Sequence, residues 1–339
     1  MGKNSVKSDA DRRKIIGNCM LKVKFVDMPS EAIKNKTMSI LRKHFDDVVE
    51  CDNPDYLFYS VFGYEHLKYD CVRIEWLGEN LRPDFNICDY AIGFDRLQFL
   101  DRYKRIPLYY FYAEDYARAR EKHLCKLGDV ENKKFCNFVY SNNKASRERE
   151  EFYKLLSTYK QVDSGGRYMN NIGGPVENKY EFQRQYKFSI AFENSSTDGY
   201  VTEKILQAFA AGTIPIYWGD PSVTKDFNEK AFINCHAYSN FEEVMSKVIE
   251  IDQNDELYYQ YLKEPIGDSE HFPENPLKEY EKYIVDICSQ TPDKAMRRSN
   301  IMYGLQYQED QKKFRMDERK QTEGGRSIWG RIKNKISKL

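Results

Sequence analysis

YKFSIAFENSSTDGYVTEKILQAFAAGTIPIYWGDP, residues 186–221, decides how the rest of the chain is read. Tyr186 to Phe192 is an apolar and aromatic run of strand length with mostly alternating polarity. Residues 193–199 are seven small or polar side chains that read as a loop. From about Tyr200 the period turns helical: Val201, Ile205, Ala208 and Phe209 fall at i, i+4, i+7 and i+8, one buried stripe. Gly212 suits a left-handed residue just past the helix end, and Thr213 to Trp218 is again strand-like. Strand, loop, helix and strand in this order predict a βαβ unit of a parallel sheet.

The same helix has a second face. Tyr200, Glu203, Lys204 and Gln207 fall at i, i+3, i+4 and i+7. Free backbone N–H groups and the positive end of the helix dipole make a helix N-terminus an anion site. A lysine in the first turn is mildly unfavourable there unless an anion is near. Two readings stand side by side: an anion-binding face, or a surface helix with its charges in water.

Working outward, 339 residues exceed one ordinary core and predict two domains. Lys+Arg and Asp+Glu both total 53, and zero net charge argues against bulk nucleic-acid binding. The 26 Tyr and 20 Phe suit clefts that stack sugars or bases as well as a core. No apolar run is long enough to span a membrane, and the polar start MGKNSVKSDADRRK lacks the apolar region of a signal peptide. Eight scattered cysteines (19, 51, 71, 88, 125, 136, 235 and 288) contain no CxxC pair and read as reduced, buried thiols.

In the N-terminal half, residues 20–28 alternate like a strand and Ala32 to His44 suit a helix. Asp47–Asp52, Tyr56–Phe62, Val72–Trp76, Tyr90–Phe94 and Ile106–Phe111 are further strand candidates, a Rossmann-type α/β pattern. No GxGxxG follows the first strand, so a dinucleotide is not indicated. The loop Gly78-Glu79-Asn80-Leu81-Arg82-Pro83-Asp84-Phe85-Asn86 offers two carboxylates, Glu79 and Asp84, where open sheets place their ligands. Either one equally suits capping of loop amides or facing water.

Residues 113–134 are charged and read as a connection. A second α/β pattern follows: strand Phe135–Ser141, a helix from Ser146 as N-cap to Tyr159 with Arg149 in its first turn, and strand Gln161–Asp163. A polar segment leads to Lys179. After the central unit come strand Ala231–Cys235 and helices near 241–252, 254–264 and 276–290. Arg149 and Lys204 thus stand at two strand-to-helix junctions, a pairing that suits a pyrophosphate without a metal. The only Asp-x-Asp, Asp9-Ala10-Asp11, lies in the polar N-terminal segment, so Mg²⁺ or Mn²⁺ is not expected. Residues 312–339 hold 10 Lys/Arg against 3 Asp/Glu, net +7, leaving −7 for residues 1–311. Within this tail Ile328, Ile332, Ile336 and Leu339 recur at helical spacing with Trp329 among basic residues, the pattern of an interfacial membrane helix.

The pattern Phe192-Glu193-Asn194, Tyr200 to Lys204, Ile214 to Gly219 and Pro221 resembles the signature of the α1,3/4-fucosyltransferases, glycosyltransferase family 10. Gly78-Glu79-Asn80, Pro83 to Asn86 and Asp89 to Asp95 resemble the acceptor-side segment of the bacterial members. Ser141-Asn142, Arg149 and Phe152 resemble the family's first donor-side loop and helix, and the likeness covers residues 20–290 or so. The tail departs from some members in lacking leucine- and tyrosine-bearing heptad repeats, and with them the usual argument for dimers. The resemblance implies a GT-B fold: α/β, with two facing Rossmann-like domains and a cleft between them. The expected division is an acceptor-binding domain at 1–128, a GDP-fucose-binding domain at 129–295 and the basic tail at 296–339. It implies Glu79 as general base, Arg149 and Lys204 on the GDP phosphates, Asn194 and Tyr200 lining the phosphate end, and Glu203 on the ribose hydroxyls. GDP-fucose would be a substrate, with no cofactor or metal required. The implied activity is inverting transfer to a lactosamine-type acceptor in bacterial surface glycan synthesis, on the cytoplasmic face of the membrane. The alternatives are a transferase of the same fold with another nucleotide-sugar donor, or a non-catalytic nucleotide-sugar-binding protein.

Overall fold

A computed structural model describes residues 20–124, 132–270 and 272–315. They form two compact units. The first comprises 20–92, 98–104 and 280–315, and the second 93–97 and 105–279. The chain therefore enters the second unit well before residue 128 and returns to the first at Tyr280, so the units are interleaved in sequence.

The first sheet holds β1 (Leu21–Val26), β2 (Val48–Glu50), β3 (Tyr56–Tyr59), β4 (Val72–Trp76), β5 (Tyr90–Gly93) and β6 (Tyr103–Arg105), in the order β2-β1-β3-β4-β5-β6. The pairs from β2 to β5 are parallel. β3 and β4 are buried along their whole length, as central parallel strands are when both faces are covered. Helix α1 (Glu31–His44) starts where Ser30 Oγ accepts the Ile33 N–H at 3.4 Å, and it ends in Arg42, Lys43 and His44, which complement the dipole.

The second unit begins with α2 (Ala113–Glu121) and β7 (Lys134–Phe138), followed by α3 (Glu148–Leu156), β8 (Val162–Ser164), α4 (Lys179–Gln183) and β9 (Tyr186–Phe192). Then come α5 (Glu203–Ala210), β10 (Ile214–Trp218), β11 (Ile233–Asn234), α6 (Phe241–Asp252) and α7 (Asp255–Lys263). Its sheet, β11-β10-β9-β7-β8, is parallel throughout. Phe188, Ile190 and Phe192 of β9 pack with Phe152 and Val244 on one face, while Ala191 joins Ile205 and Phe209 on the other. Helices α8 (Lys278–Cys288) and α9 (Pro292–Ala295) close the chain's return. The helix at 302–315 is clamped to the first unit, where the buried Asp89 accepts the backbone N–H groups of Arg297 and Arg298 at 2.8 and 2.9 Å and pairs with the Arg298 guanidinium.

Several expectations need correcting. Ile106–Phe111 is not a strand: Pro107 cannot donate to a ladder, a 3₁₀ turn occupies Leu108–Phe111, and the strand lies earlier at β6. The charged stretch 113–134 is not mere connection, because Tyr116 and Ala119 of α2 are buried against α5. The polar segment before β9 contains α4, capped by Asn178 on Glu181 N–H at 3.1 Å. Ser146 does not cap its helix, which starts at Glu148. The basic residues with Ile328, Ile332, Ile336 and Leu339 lie outside the described residues. No helix among those described is long and apolar enough to cross a membrane, and the six described cysteines are free.

Candidate active site

Numbering the second unit's strands from its own first, the order is 2-1-3-4-5, so the direction of winding reverses between β7 and β9. Ligands of open α/β sheets bind beyond the strand C-termini at such a point. The two loops leaving it, 139–147 and 193–202, are joined where Ser146 N–H donates to Asn194 O at 2.8 Å. Each leads into a helix, α3 or α5, carrying one of the predicted cations.

Arg149 is 1% exposed. Its Nη2 donates to Phe192 O at 3.0 Å and to Asn194 Oδ1 at 2.8 Å, and its guanidinium lies over the Tyr140 ring at 4.0 Å. Nε and Nη1 have no hydrogen-bond partner. Tyr140 is fixed in turn, donating to Ile190 O at 2.9 Å and accepting from Phe192 N–H at 2.7 Å. Burial pushes its phenol up to about 12, against the opposing pull of Arg149 and Lys204.

The second junction is built on Glu193, which is fully buried. Its carboxylate accepts Thr202 N–H at 2.8 Å, Thr202 Oγ1–H at 2.6 Å and Lys204 Nζ at 2.9 Å. The Thr202 hydroxyl makes no capping bond to α5, so Glu193 supplies the carboxylate at that helix start. Lys204 is therefore not a free cation. Burial alone would lower its pKa, but Glu193 and Glu203, the latter at 3.4 Å, outweigh it and raise the ammonium above the ordinary lysine range. Glu203 is the reverse case: burial works against its charge, and Lys204 with Lys179 hold it down to about 2. Its side chain keeps 22% exposure.

Tyr200 does not sit on the helix, which starts three residues later. Gly199 turns the backbone with φ of +80°, where an added Cβ would meet Phe94 O at 3.0 Å. Tyr200 is thereby carried into the interior, 2% exposed and edge-on to Phe94 at 5.0 Å between centroids. The expected polar face thus begins at Glu203. The second unit brings together Arg149, Asn194, Glu203 and Lys204; Tyr200 backs them from within. Glu193 is the residue that the periodicity did not reveal, although its place directly after a strand end was a signal.

In the first unit Glu79 follows β4 and is exposed, its carbonyl accepting Leu81 N–H at 2.7 Å. Asp84 instead holds its own loop: Oδ1 accepts Asn86 N–H at 2.9 Å and Oδ2 accepts the Tyr307 hydroxyl at 2.8 Å. Beneath this loop Glu75 is buried with Oε2 unpartnered, and burial pushes its carboxyl up to about 7 despite a bond from Cys88. Among the described residues no group of three or more His, Cys, Asp or Glu side chains is arranged to hold a metal ion.

Residues 23–112 match the α-(1,3)-fucosyltransferase FucT N-terminal domain, and residues 130–300 match the glycosyltransferase family 10 (fucosyltransferase) C-terminal region. The chain is 39% identical over 236 residues to an α-(1,3)-fucosyltransferase FucT of Helicobacter pylori, covering 60% of this chain and 48% of that protein. A putative fucosyltransferase of Acanthamoeba polyphaga mimivirus is 33% identical over 51% of this chain and 31% of its own length. The chain thus spans half or less of the length of the curated relatives it matches. An α1,3-fucosyltransferase crystallised with GDP-fucose superposes with a TM-score of 0.69 at 31% identity, covering 88% of this chain and 96% of that one. Another, crystallised with GDP, superposes with a TM-score of 0.67 at 32% identity, covering 80% and 90%. The two parallel-sheet units are those of the GT-B class, and the chain belongs to glycosyltransferase family 10, the fucosyltransferases.

Proposed function

We propose that this chain is an inverting α1,3-fucosyltransferase that moves fucose from GDP-β-L-fucose to a GlcNAc or Glc hydroxyl of a lactosamine-type glycan. The observation that carries the donor half is Arg149: a buried guanidinium at the switch point, with Nε and Nη1 unpaired. Buried guanidinium N–H groups without an acceptor are costly unless an anion completes them, and a diphosphate supplies that charge. The chain's likeness to proteins crystallised with GDP and with GDP-fucose supports the same donor.

In this reading Arg149 and Lys204 hold the phosphates, Asn194 orients Arg149, and Glu203, ionised far below neutral pH, accepts from the ribose hydroxyls. Lys204 shares its charge with Glu193, so Arg149 carries the larger part of leaving-group stabilisation. Glu79 takes the proton of the acceptor hydroxyl as its oxygen attacks fucose C1 and the bond from C1 to the β-phosphate oxygen breaks. Attack opposite the leaving group turns the β-linked donor into an α-linked product. No divalent metal is invoked. The physiological acceptor in this reading is a bacterial surface glycan such as lipopolysaccharide, reached with the basic tail on the cytoplasmic face of the membrane.

The test is Glu79→Gln. GDP-fucose affinity is expected to stay within a few-fold while transfer to N-acetyllactosamine is lost; normal transfer would remove Glu79 as the base. A screen of GDP-fucose, GDP-mannose and UDP-sugars separates this reading from a transferase with another donor. Release of GDP that depends on the acceptor separates it from a binding protein.

A further inference from the structure

The first unit has its own switch point, between β1 and β3. The loop leaving β3 carries Phe62, 55% exposed, and Tyr64, 45% exposed. Their exposure comes from a loop that is pinned on both sides. Ser60 is buried and donates to Trp76 O at 2.6 Å. Any side chain at Gly63 would collide with the Asp27 carboxylate, whose Oδ2 accepts Glu65 N–H at 2.9 Å. Asp27 itself holds a left-handed backbone, φ +51°. The Arg315 guanidinium lies 4.5 Å from the centre of the Tyr64 ring, so one face of that ring is already used. A large apolar side chain held outward by a fixed loop at a sheet's C-terminal edge has the form of a recognition group.

Strand register gives its place. β3 and β4 are parallel, with Tyr59 opposite Glu75 and Ser60 bonded to the carbonyl of Trp76. The two strands end side by side, and beyond that joined pair Phe62 lies two residues past Ser60 while Glu79 lies three past Trp76. The loop that carries Phe62 and the loop that carries Glu79 therefore leave the C-terminal ends of neighbouring strands. The hydroxyl to be deprotonated belongs to one sugar, and the next sugar of the acceptor lies to one side of it.

We propose that Phe62 is the acceptor platform: its ring stacks on the C–H face of the galactose that neighbours the GlcNAc presented to Glu79. This rests on the functional reading above and adds to it the residue that distinguishes a disaccharide from a single sugar. Aromatic rings hold such faces without a hydrogen-bond requirement, and a fixed ring loses little entropy on binding.

The experiment uses the full chain at saturating GDP-fucose, with N-acetyllactosamine and GlcNAc as alternative acceptors. Wild type is expected to favour the disaccharide. In Phe62→Ala the KM for N-acetyllactosamine is expected to rise about tenfold. The KM values for GlcNAc and for GDP-fucose should stay unchanged, and Phe62→Trp should restore the preference. An unchanged KM for the disaccharide in Phe62→Ala overturns the platform. A parallel rise in all three KM values, or a changed oligomeric state with acceptor KM intact, overturns it as well. If wild type transfers to neither acceptor, the functional reading fails and the platform fails with it; if wild type transfers and Phe62→Ala matches it, only the platform fails.

Discussion

Arg149 shows how a single side chain can be read for its ligand. One of its three nitrogens is satisfied by protein, and the other two are buried and unpaired. Such donors cost of order 1–3 kcal/mol each when left without an acceptor, and the proposed diphosphate would supply the acceptor. Arg149→Lys keeps a charge but loses the planar fork; transfer from GDP-fucose is expected to fall by on the order of 10²–10³ in kcat, and a normal kcat would contradict the role. Glu75 makes a different prediction. Its folded carboxyl sits near 7, because burial disfavours the charged form, against about 4.5 in an unfolded chain. A raised folded value means stability that is fully present below about 4.5 and lost as pH rises through about 7. Glu75→Gln should remove that slope, so that the unfolding free energies of wild type and variant, from urea denaturation, change relative to one another by of order 3 kcal/mol between pH 4.5 and 7.5. Parallel curves would show that Glu75 does not titrate there.

At the scale of elements, the site depends on how one helix begins. Glu193 holds Thr202 and Lys204 while its Cγ lies against Gly219, where an added Cβ would meet it at 2.5 Å. Glu193→Ala would leave Lys204 buried beside Glu203 without its main partner. A loss of order 3 kcal/mol in unfolding free energy is expected, measured by urea denaturation, and an unchanged midpoint would contradict the pairing. Much of this architecture was legible in the chain. β9, β4 and α6 agree with their predicted bounds, and Gly212 takes φ +64° past α5 as its position required. These elements carry strong periodicity, and their local preference agrees with their burial. The misreadings share a cause. α2 and α4 are short and charged, and each rests on the burial of two residues, with a side-chain cap added in α4 alone, which periodicity cannot weigh. Tyr200 was assigned to a polar helical face, yet the turn at Gly199 sends it inward. In the candidate site the pairing of side chains was not readable: nothing in the order of residues tells that the Lys204 ammonium donates to the Glu193 carboxylate.

For the whole molecule, the second sheet's order 2-1-3-4-5 recurs in the first, which adds a sixth strand, and the proposed donor groups of the second unit stand at its switch point. In the proposed reading, a chain of zero net charge balances the diphosphate's charge locally, at Arg149, and not through a bulk electrostatic field. Binding to the native state alone should also stabilise it. GDP at a hundred times its Kd is expected to add ~2.7 kcal/mol, seen as a raised thermal midpoint that Arg149→Lys largely abolishes; UDP at the same concentration should do less. The most direct measurement is product analysis: incubation of the purified chain with GDP-β-L-fucose and N-acetyllactosamine, followed by NMR assignment of the new glycosidic bond. The account predicts an α-configured fucose on the 3-hydroxyl of GlcNAc with one GDP released per bond formed. A β-configured product, or transfer from another nucleotide sugar with none from GDP-fucose, would contradict it.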